Sequence, residues 1–240
     1  YQQLYICSKL IDVLKKIEKH GDIVGENGIL VIPSVSNMSM DFGKRFWISD
    51  DTDLNRLFPG NPSGESGSRV AYAIMETTKG YRYGIHLPSF YLGGTFMPHI
   101  RLLDPEHGST SLANLFGLPY VIEAKSRPFD RTTLHNNWQK NGTEAFSLYT
   151  GMTGKIDDEL AAQAVSSILR FLTRMGIIRY YSHSGYIASV LKEGDLEPIM
   201  TEAAGIFIKK AECGQEVSRG DVLAQIMKAD SGEIISEVKA

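Results

Sequence analysis

Asn55 and Arg56 are adjacent residues that could bind a carboxylate together. They lie in the stretch Asp-Leu-Asn-Arg-Leu-Phe-Pro-Gly, residues 53–60. An amide beside a guanidinium suits this ligand, because arginine binds carboxylates through a bidentate fork. Arg45, a few residues upstream, could add a second positive contact. The alternative is a solvated loop arginine that pairs with a nearby aspartate.

His86 stands at the end of a predicted strand. Open α/β sheets bind their ligands at the carboxyl ends of strands, and imidazole is both a frequent metal ligand and a frequent general base. His86 is therefore a candidate for either role, although one histidine alone also fits a structural role. Four other histidines have no partner at a ligand-like spacing and are interpreted as surface or structural residues: His99, His107, His135 and His183.

Helices and strands alternate along the chain up to residue 176. Helices are predicted at 1–20, 67–78, 112–116, 132–140 and 157–175, and strands at 28–33, 81–87, 120–124 and 145–149. The polar stretch 34–66 is predicted to be a long loop, and residues 88–110 are predicted to be irregular. Such alternation indicates an α/β domain around a largely parallel sheet.

After about residue 185 the pattern changes to short β-like segments separated by glycines. We predict two domains, 1–184 and 185–240, the second a small all-β module. Its segments resemble the barrel-sandwich hairpins of biotinyl and lipoyl carrier domains. Lys228 comes two residues too early after Gly220 to be the modified lysine. We therefore interpret the module as structural or as a gate to the site.

Composition excludes several classes of protein. The 240 residues are 42% hydrophobic and 22% charged, which is typical of a globular chain. A net charge of −3 gives no field that would attract nucleic acid or an anionic membrane. No apolar run approaches the roughly 20 residues that span a bilayer. Two cysteines are too few for a disulfide framework, so the predicted location is cytoplasmic.

The order of these motifs resembles the succinylglutamate desuccinylase/aspartoacylase family, zinc hydrolases related to the metallocarboxypeptidases. The resemblance rests on residues 53–60, on His86 about thirty residues later, on residues 133–151 and on the C-terminal β module. It implies a zinc carboxypeptidase-like α/β fold, with a mostly parallel mixed sheet flanked by helices and a barrel-sandwich-like module. It also implies hydrolysis of the amide or ester bond of an N-acyl amino acid or similar small carboxylate. Relatives commonly form dimers or tetramers.

The resemblance also implies roles for individual residues. His86 matches the family's third zinc ligand, and Asn55 and Arg56 match the pair that holds the substrate carboxylate. Arg45 matches the arginine that polarises the scissile carbonyl and stabilises the oxyanion. The family's first two zinc ligands come just before its first long helix, the helix with which this chain begins. We therefore expect them, and an N-terminal strand, upstream of Tyr1, and we expect the C-terminal module to be truncated.

Tyr149 occupies the place of the family's general-base glutamate. A phenol with a pKa near 10 cannot accept a proton from zinc-bound water at neutral pH. The loss of a general base typically costs about 10²–10⁴ in rate. Tyr149 could instead donate a hydrogen bond to the intermediate or the leaving group, and Glu123 could replace the base or be structural. Two alternatives follow: a non-catalytic ligand- or metal-binding protein on the same scaffold, and a metallocarboxypeptidase-like peptidase.

Overall fold

The computed structural model describes residues 1–90, 93–104 and 110–240. The chain divides into two compact units, Tyr1–Glu193 and Gly194–Ala240. The predicted boundary lay at 184/185. The first unit extends further because residues 189–192 form an edge strand of its sheet.

A five-stranded sheet forms the centre of the first unit. Its strands are β1 (Tyr83–His86), β2 (Phe96–Leu103), β3 (Tyr120–Ala124), β4 (Glu144–Gly151) and β5 (Ser189–Lys192). The order is β1-β4-β2-β3-β5, and only the β2–β4 pairing is antiparallel. This confirms the predicted α/β fold with a mostly parallel mixed sheet.

Strand β2 lies in the stretch for which an irregular structure was predicted, so that prediction is wrong there. Pro98 lacks the N–H that a strand needs for its ladder, and the pairing with β4 shifts register between Phe96 and His99. Polar His99 and Arg101 alternate with buried Ile100 and Leu102. The strand is half polar because one of its faces lines the candidate site described below.

Two long helices cover one face of this sheet. They are α1 (Gln2–Lys19) and α6 (Asp158–Arg174), and they pack with the short α4 (Thr110–Asn114) in the same half of the unit. In α1 the buried residues Ile6, Leu10, Leu14 and Ile17 recur at helical spacing. Asp157 caps α6, since its carboxylate accepts a hydrogen bond of 3.0 Å from the N–H of Leu160. The main core lies between these helices and the sheet.

A smaller core lies on the other face, beneath α3 (Ser66–Thr77) and α5 (Leu134–Lys140). Trp138 of α5 lies directly on Gly84 of β1, where an added Cβ would come within 2.5 Å of the indole ring. Only glycine permits this approach. Thr133 caps α5 by accepting a hydrogen bond of 3.3 Å from the N–H of Asn136. The packing fixes α5 over β1 and β4. The short helix α2 (Asn37–Asp41) lies in the long loop.

The predicted strand at residues 28–33 is wrong as a secondary-structure assignment. Within the described residues this segment pairs in no β-ladder. Ile29 and Val31 pack against the main core, whereas Leu30 and Ile32 are 41% and 38% exposed. The alternation is that of a strand, but no neighbouring strand lies within hydrogen-bonding distance. A cleft of about 750 Å³ is lined by this segment together with residues of α1 and β1.

The second unit contains a three-stranded antiparallel sheet. Its strands are β6 (Ile206–Lys209), β7 (Val222–Met227) and β8 (Ile234–Lys239), in the order β6-β7-β8. Ala224, Ile226 and Val238 form its small core. This confirms an all-β module. In the part of the chain that the structure describes, no helix is both long and apolar enough to cross a bilayer.

Candidate active site

Three polar side chains lie side by side across the sheet. Ser147 of β4 pairs with His86 of β1 on one side and with Arg101 of β2 on the other. Cross-strand partners project from the same face, here the face opposite the main core. Buried Phe146 and Leu148 point the other way, into that core. The sheet therefore presents His86, Ser147 and Arg101 as one polar row.

His86 lies at the carboxyl end of β1, as the sequence predicts. Burial lowers the pKa of its imidazole to about 4. The ring is therefore neutral at pH 7, the state in which imidazole binds a metal or accepts a proton. Its assignment as a metal ligand stays a prediction.

His135 of α5 lies over this row, a placement that sequence reasoning missed. Its Nδ1 is 2.8 Å from Ser147 Oγ, and the residue is 3% exposed. Its Nε2 is buried and has no hydrogen-bond partner among the described residues. Burial, followed by the charges of His86 and Arg101, lowers the pKa of His135 to about 3. No spacing in the sequence signals this arrangement, because it arises only when α5 folds back onto β4.

Tyr149 lies two residues beyond Ser147 on the same face and stacks on His99. The two rings are 5.1 Å apart between centroids and 2° from parallel. Burial raises the pKa of Tyr149, while a hydrogen bond from Arg101 and the charge of Arg56 act in the opposite direction. Tyr149 is therefore a neutral phenol at pH 7.

Glu123 does not lie beside Tyr149. It pairs with Leu102, whose side chain points into the main core, and so projects from the opposite face of the sheet. Its carboxylate accepts a hydrogen bond of 2.6 Å from Thr110 Oγ1. The structural alternative for Glu123 is the correct one, and Glu123 does not replace the missing base.

Asn55 and Arg56 belong to a short 3₁₀ helix, Leu54–Arg56. Asp53 caps it by accepting a hydrogen bond of 3.0 Å from the N–H of Asn55. The Asn55 Oδ1 in turn accepts a hydrogen bond of 3.0 Å from the N–H of Leu134, in the first turn of α5. The pair is thus attached directly to the helix that carries His135.

The guanidinium of Arg56 is oriented by the turn Pro128–Thr132. Its Nη1 donates a hydrogen bond of 3.0 Å to the carbonyl of Phe129 and lies 3.9 Å from Asp130 Oδ1. The Arg56 side chain is 41% exposed, so it can be reached by a ligand. Arg56 pairs with an aspartate, as the solvated-loop alternative predicts. That aspartate, Asp130, comes from a distant part of the chain, and it holds the guanidinium near Tyr149.

Arg45 lies on the other side of the same loop. Its Nη1 donates to the carbonyl of Ser89 at 2.8 Å, and its Nη2 donates to Asp53 Oδ2 at 3.2 Å. Ser89 follows His86 by three residues, so Arg45 connects the end of β1 to the cap of the Asn55–Arg56 turn. All five residues predicted for the site therefore lie around one edge of the sheet, although their roles stay predictions.

Comparisons with known proteins agree on the fold. No family model matches the chain, and no curated protein matches it. Among solved structures, the product-bound ectoine utilization protein EutE (DoeB) from Ruegeria pomeroyi superposes with a TM-score of 0.81 at 20% identity, over 100% of this chain and 73% of that one. A succinylglutamate desuccinylase from Silicibacter sp. TM1040 gives 0.72 at 20% identity, over 87% of this chain and 65% of that one. An aspartoacylase family protein from Mesorhizobium loti gives 0.75 at 18% identity, over 100% and 72%.

The chain has the succinylglutamate desuccinylase/aspartoacylase fold. It spans between 65% and 73% of the length of these three proteins. At these sequence identities the similarity shows only the fold. The activity and ligands of the desuccinylase/aspartoacylase proteins are therefore proposals for this chain.

The zinc that the desuccinylase/aspartoacylase resemblance implies can be tested against the side chains present. A catalytic zinc takes three protein ligands and leaves one position open. Among the described residues no group of three or more His, Cys, Asp or Glu side chains could hold a metal ion. His86 as one ligand stays a prediction, and the described residues do not supply a complete metal site.

Proposed function

We propose that this protein is a deacylase-type hydrolase. It cleaves the amide bond, or a related ester bond, of an N-acyl amino acid or similar small carboxylate. The observation that carries the proposal is the attachment of the Asn55–Arg56 turn to α5, which brings an exposed arginine to the same sheet edge as His86 and Tyr149. The desuccinylase/aspartoacylase fold supports the reaction class.

Each polar side chain has a role that follows from its chemistry. Arg56 and Asn55 bind the substrate carboxylate, because a guanidinium and an amide supply several N–H donors in one plane. Arg45 stabilises the negative oxygen that develops on the scissile carbonyl, an electrostatic effect that is often large in acyl transfer. Tyr149 donates its phenolic hydrogen to the intermediate or to the leaving group.

Zinc is the proposed cofactor, with His86 as one ligand and the others supplied from outside the described residues. Bound zinc would polarise the carbonyl and acidify water. This chain's own residues bind and orient the substrate.

The names of two similar structures support a small-molecule substrate. One is an ectoine utilization protein with product bound, and another is a succinylglutamate desuccinylase. We propose by analogy a small carboxylate substrate for this chain, in the cytoplasm, with no nucleic-acid or membrane partner. A homo-oligomer would be consistent with the family resemblance.

A panel of N-acyl amino acids, with short peptides as the competing class, tests the reaction. Release of free amino acid from the acylated compounds, at a higher kcat/KM than from peptides, would support the deacylase. A preference for peptides would favour the metallocarboxypeptidase-like alternative. Elemental analysis of the protein as its gene encodes it, beside a His86→Ala variant, tests zinc: about one equivalent that vanishes in the variant would support the cofactor.

Tyr149 is the observation that favours a second candidate, a ligand- or metal-binding protein without turnover. Calorimetric binding of an N-acyl amino acid, together with no hydrolysis of any member of the panel, would support this candidate and contradict the hydrolase.

A further inference from the structure

The Nε2 atom of His135 is a buried polar atom of this site that the proposed scheme does not use. Buried nitrogen atoms are nearly always hydrogen-bonded, so each exception requires an explanation. Here Nδ1 is engaged by Ser147 Oγ at 2.8 Å, while Nε2 has no partner among the described residues. The residue is only 3% exposed.

His135 lies beside the polar row of the sheet. Its partner Ser147 stands between His86 and Arg101 in the sheet, so these two side chains flank Ser147 on the same face. Tyr149 follows Ser147 by two residues on the same face and is in turn hydrogen-bonded by Arg101. His135 therefore contacts the polar row of the sheet to which His86 belongs and from which Tyr149 continues.

We propose that His135 is the general base of this site, and that its Nε2 accepts the proton which Tyr149 cannot accept. This inference rests on the proposed hydrolase function. In this proposal the proton is on Nδ1, which donates to Ser147 Oγ at 2.8 Å, and the lone pair is left on Nε2. Ser147 is then the positioning residue.

The proton transfers balance without any further reactant. A water molecule attacks the scissile carbonyl carbon and gives one proton to Nε2 as the new C–O bond forms. The C–N bond of the amide then breaks, and the proton on Nε2 passes to the departing nitrogen. The products are the carboxylic acid and the free amine, and His135 returns to its neutral form.

The burial of His135 is compatible with this role. The pKa of about 3 keeps the ring neutral throughout the physiological range, so the lone pair is always present. A glutamate, the base that it would replace, has an ordinary pKa of about 4.3. His135 is therefore the weaker base of the two, by roughly one pKa unit.

A His135→Asn variant is the sharpest test. The asparagine amide can occupy the position of Nδ1 and keep the contact with Ser147, whereas nothing replaces Nε2. In the protein as its gene encodes it, loaded with Zn²⁺, we expect kcat to fall by about 10²–10⁴ with little change in KM. Added imidazole should restore part of the lost kcat in a His135→Ala variant. Ser147→Ala removes the contact that positions the ring but keeps Nε2, so its kcat should fall as well, though by less than that of His135→Asn.

The outcomes separate the inference from the proposed function. An unchanged kcat in His135→Asn, or a loss confined to KM, would overturn the role of His135 while leaving the hydrolase intact. The absence of turnover in the wild type would overturn both. Circular dichroism verifies folding, and if His135→Asn does not fold, His135→Gln is measured instead, with the same loss of kcat expected and an unchanged kcat again contrary to the inference.

Discussion

The amide oxygen of Asn55 accepts a hydrogen bond of 3.0 Å from the backbone N–H of Leu134, across 79 residues of sequence. Leu134 is the first residue of α5, and the first N–H groups of a helix have no partner within the helix itself. The bond therefore gives this N–H of the helix an acceptor and at the same time fixes the loop that carries Arg56. The helix α5 therefore holds both the Asn55–Arg56 turn and His135 in place.

We predict that Asn55→Ala destabilises the protein. Removal of the side chain leaves the partly buried N–H of Leu134 without an acceptor, which typically costs about 1–3 kcal/mol. The free energy of unfolding from urea titration measures the loss. Asn61→Ala is the control, because the exposed Asn61 Oδ1 only accepts a hydrogen bond from Ser63 two residues away.

Asn55→Asp separates the structural role of this side chain from its binding role. The carboxylate keeps an acceptor for Leu134 and favours the helix N-terminus, so the stability should stay close to that of the wild type. The amide donors are lost and a negative charge is added, so KM for an acylated amino acid should rise. A KM equal to that of the wild type would show that Asn55 does not contact the substrate carboxylate.

Arg56→Ala should raise KM sharply. The guanidinium is exposed and held in place by the carbonyl of Phe129, so its removal deletes a charged hydrogen-bond donor and disturbs little of the core. A hydrogen bond to a charged group contributes about 1.5–3 kcal/mol, which corresponds to a KM increase of about 10- to 150-fold. Arg174→Ala, at the exposed end of α6, is the control that should leave the kinetics unchanged. Unaltered kinetics in Arg56→Ala would remove Arg56 from the binding site.

Tyr149→Phe should lower kcat and leave KM nearly unchanged. The phenol is neutral and positioned by both Arg101 and the stacked His99 ring, so the variant loses one donor while keeping the aromatic packing. If the hydroxyl donates only in the transition state, kcat and kcat/KM fall together. An increase in KM alone would instead indicate that Tyr149 contacts the bound substrate.

The stability of the fold should decrease in acid through His135. Burial holds its pKa at about 3 in the folded protein, against about 6.5 in the unfolded chain. Between these values the unfolded state binds more protons, so the stability is complete above about pH 6.5 and is lost as the pH falls, by up to about 1.4 kcal/mol per pH unit. Urea titrations at pH 7 and pH 5 measure this slope. His135→Asn, which cannot titrate, should show a smaller slope, and an equal slope would contradict the lowered pKa.

Hydrogen exchange should distinguish residues 28–33 from the true strands. These residues alternate in burial like a strand but pair in no ladder among the described residues. Their amides should therefore exchange much faster than those of β4, which is paired on both sides. Exchange rates as slow as those of β4 would show that the segment has strand partners in solution.

Much of the fold follows from local patterns in the sequence. The spacing of apolar residues predicts α1 and α6, and the short apolar runs predict β1, β3 and β4, because each of these elements buries one face at its own period. β2 was not predicted because Pro98 and two polar residues interrupt the apolar pattern. Residues 28–33 show the opposite error: they have the composition of a strand, but a strand exists only where another strand pairs with it.

The same distinction between local pattern and tertiary contact applies to the residues of the site. The sequence identified His86, Asn55, Arg56 and Arg45 as candidates from their types and order along the chain, and the family resemblance added Tyr149. Only the tertiary structure joined the Asn55 turn to α5, placed Glu123 on the face of the sheet opposite the site and brought His135 onto Ser147. The physical reason is that hydrogen bonds and strand register act between residues that are distant in sequence, and no local periodicity encodes which of those residues meet.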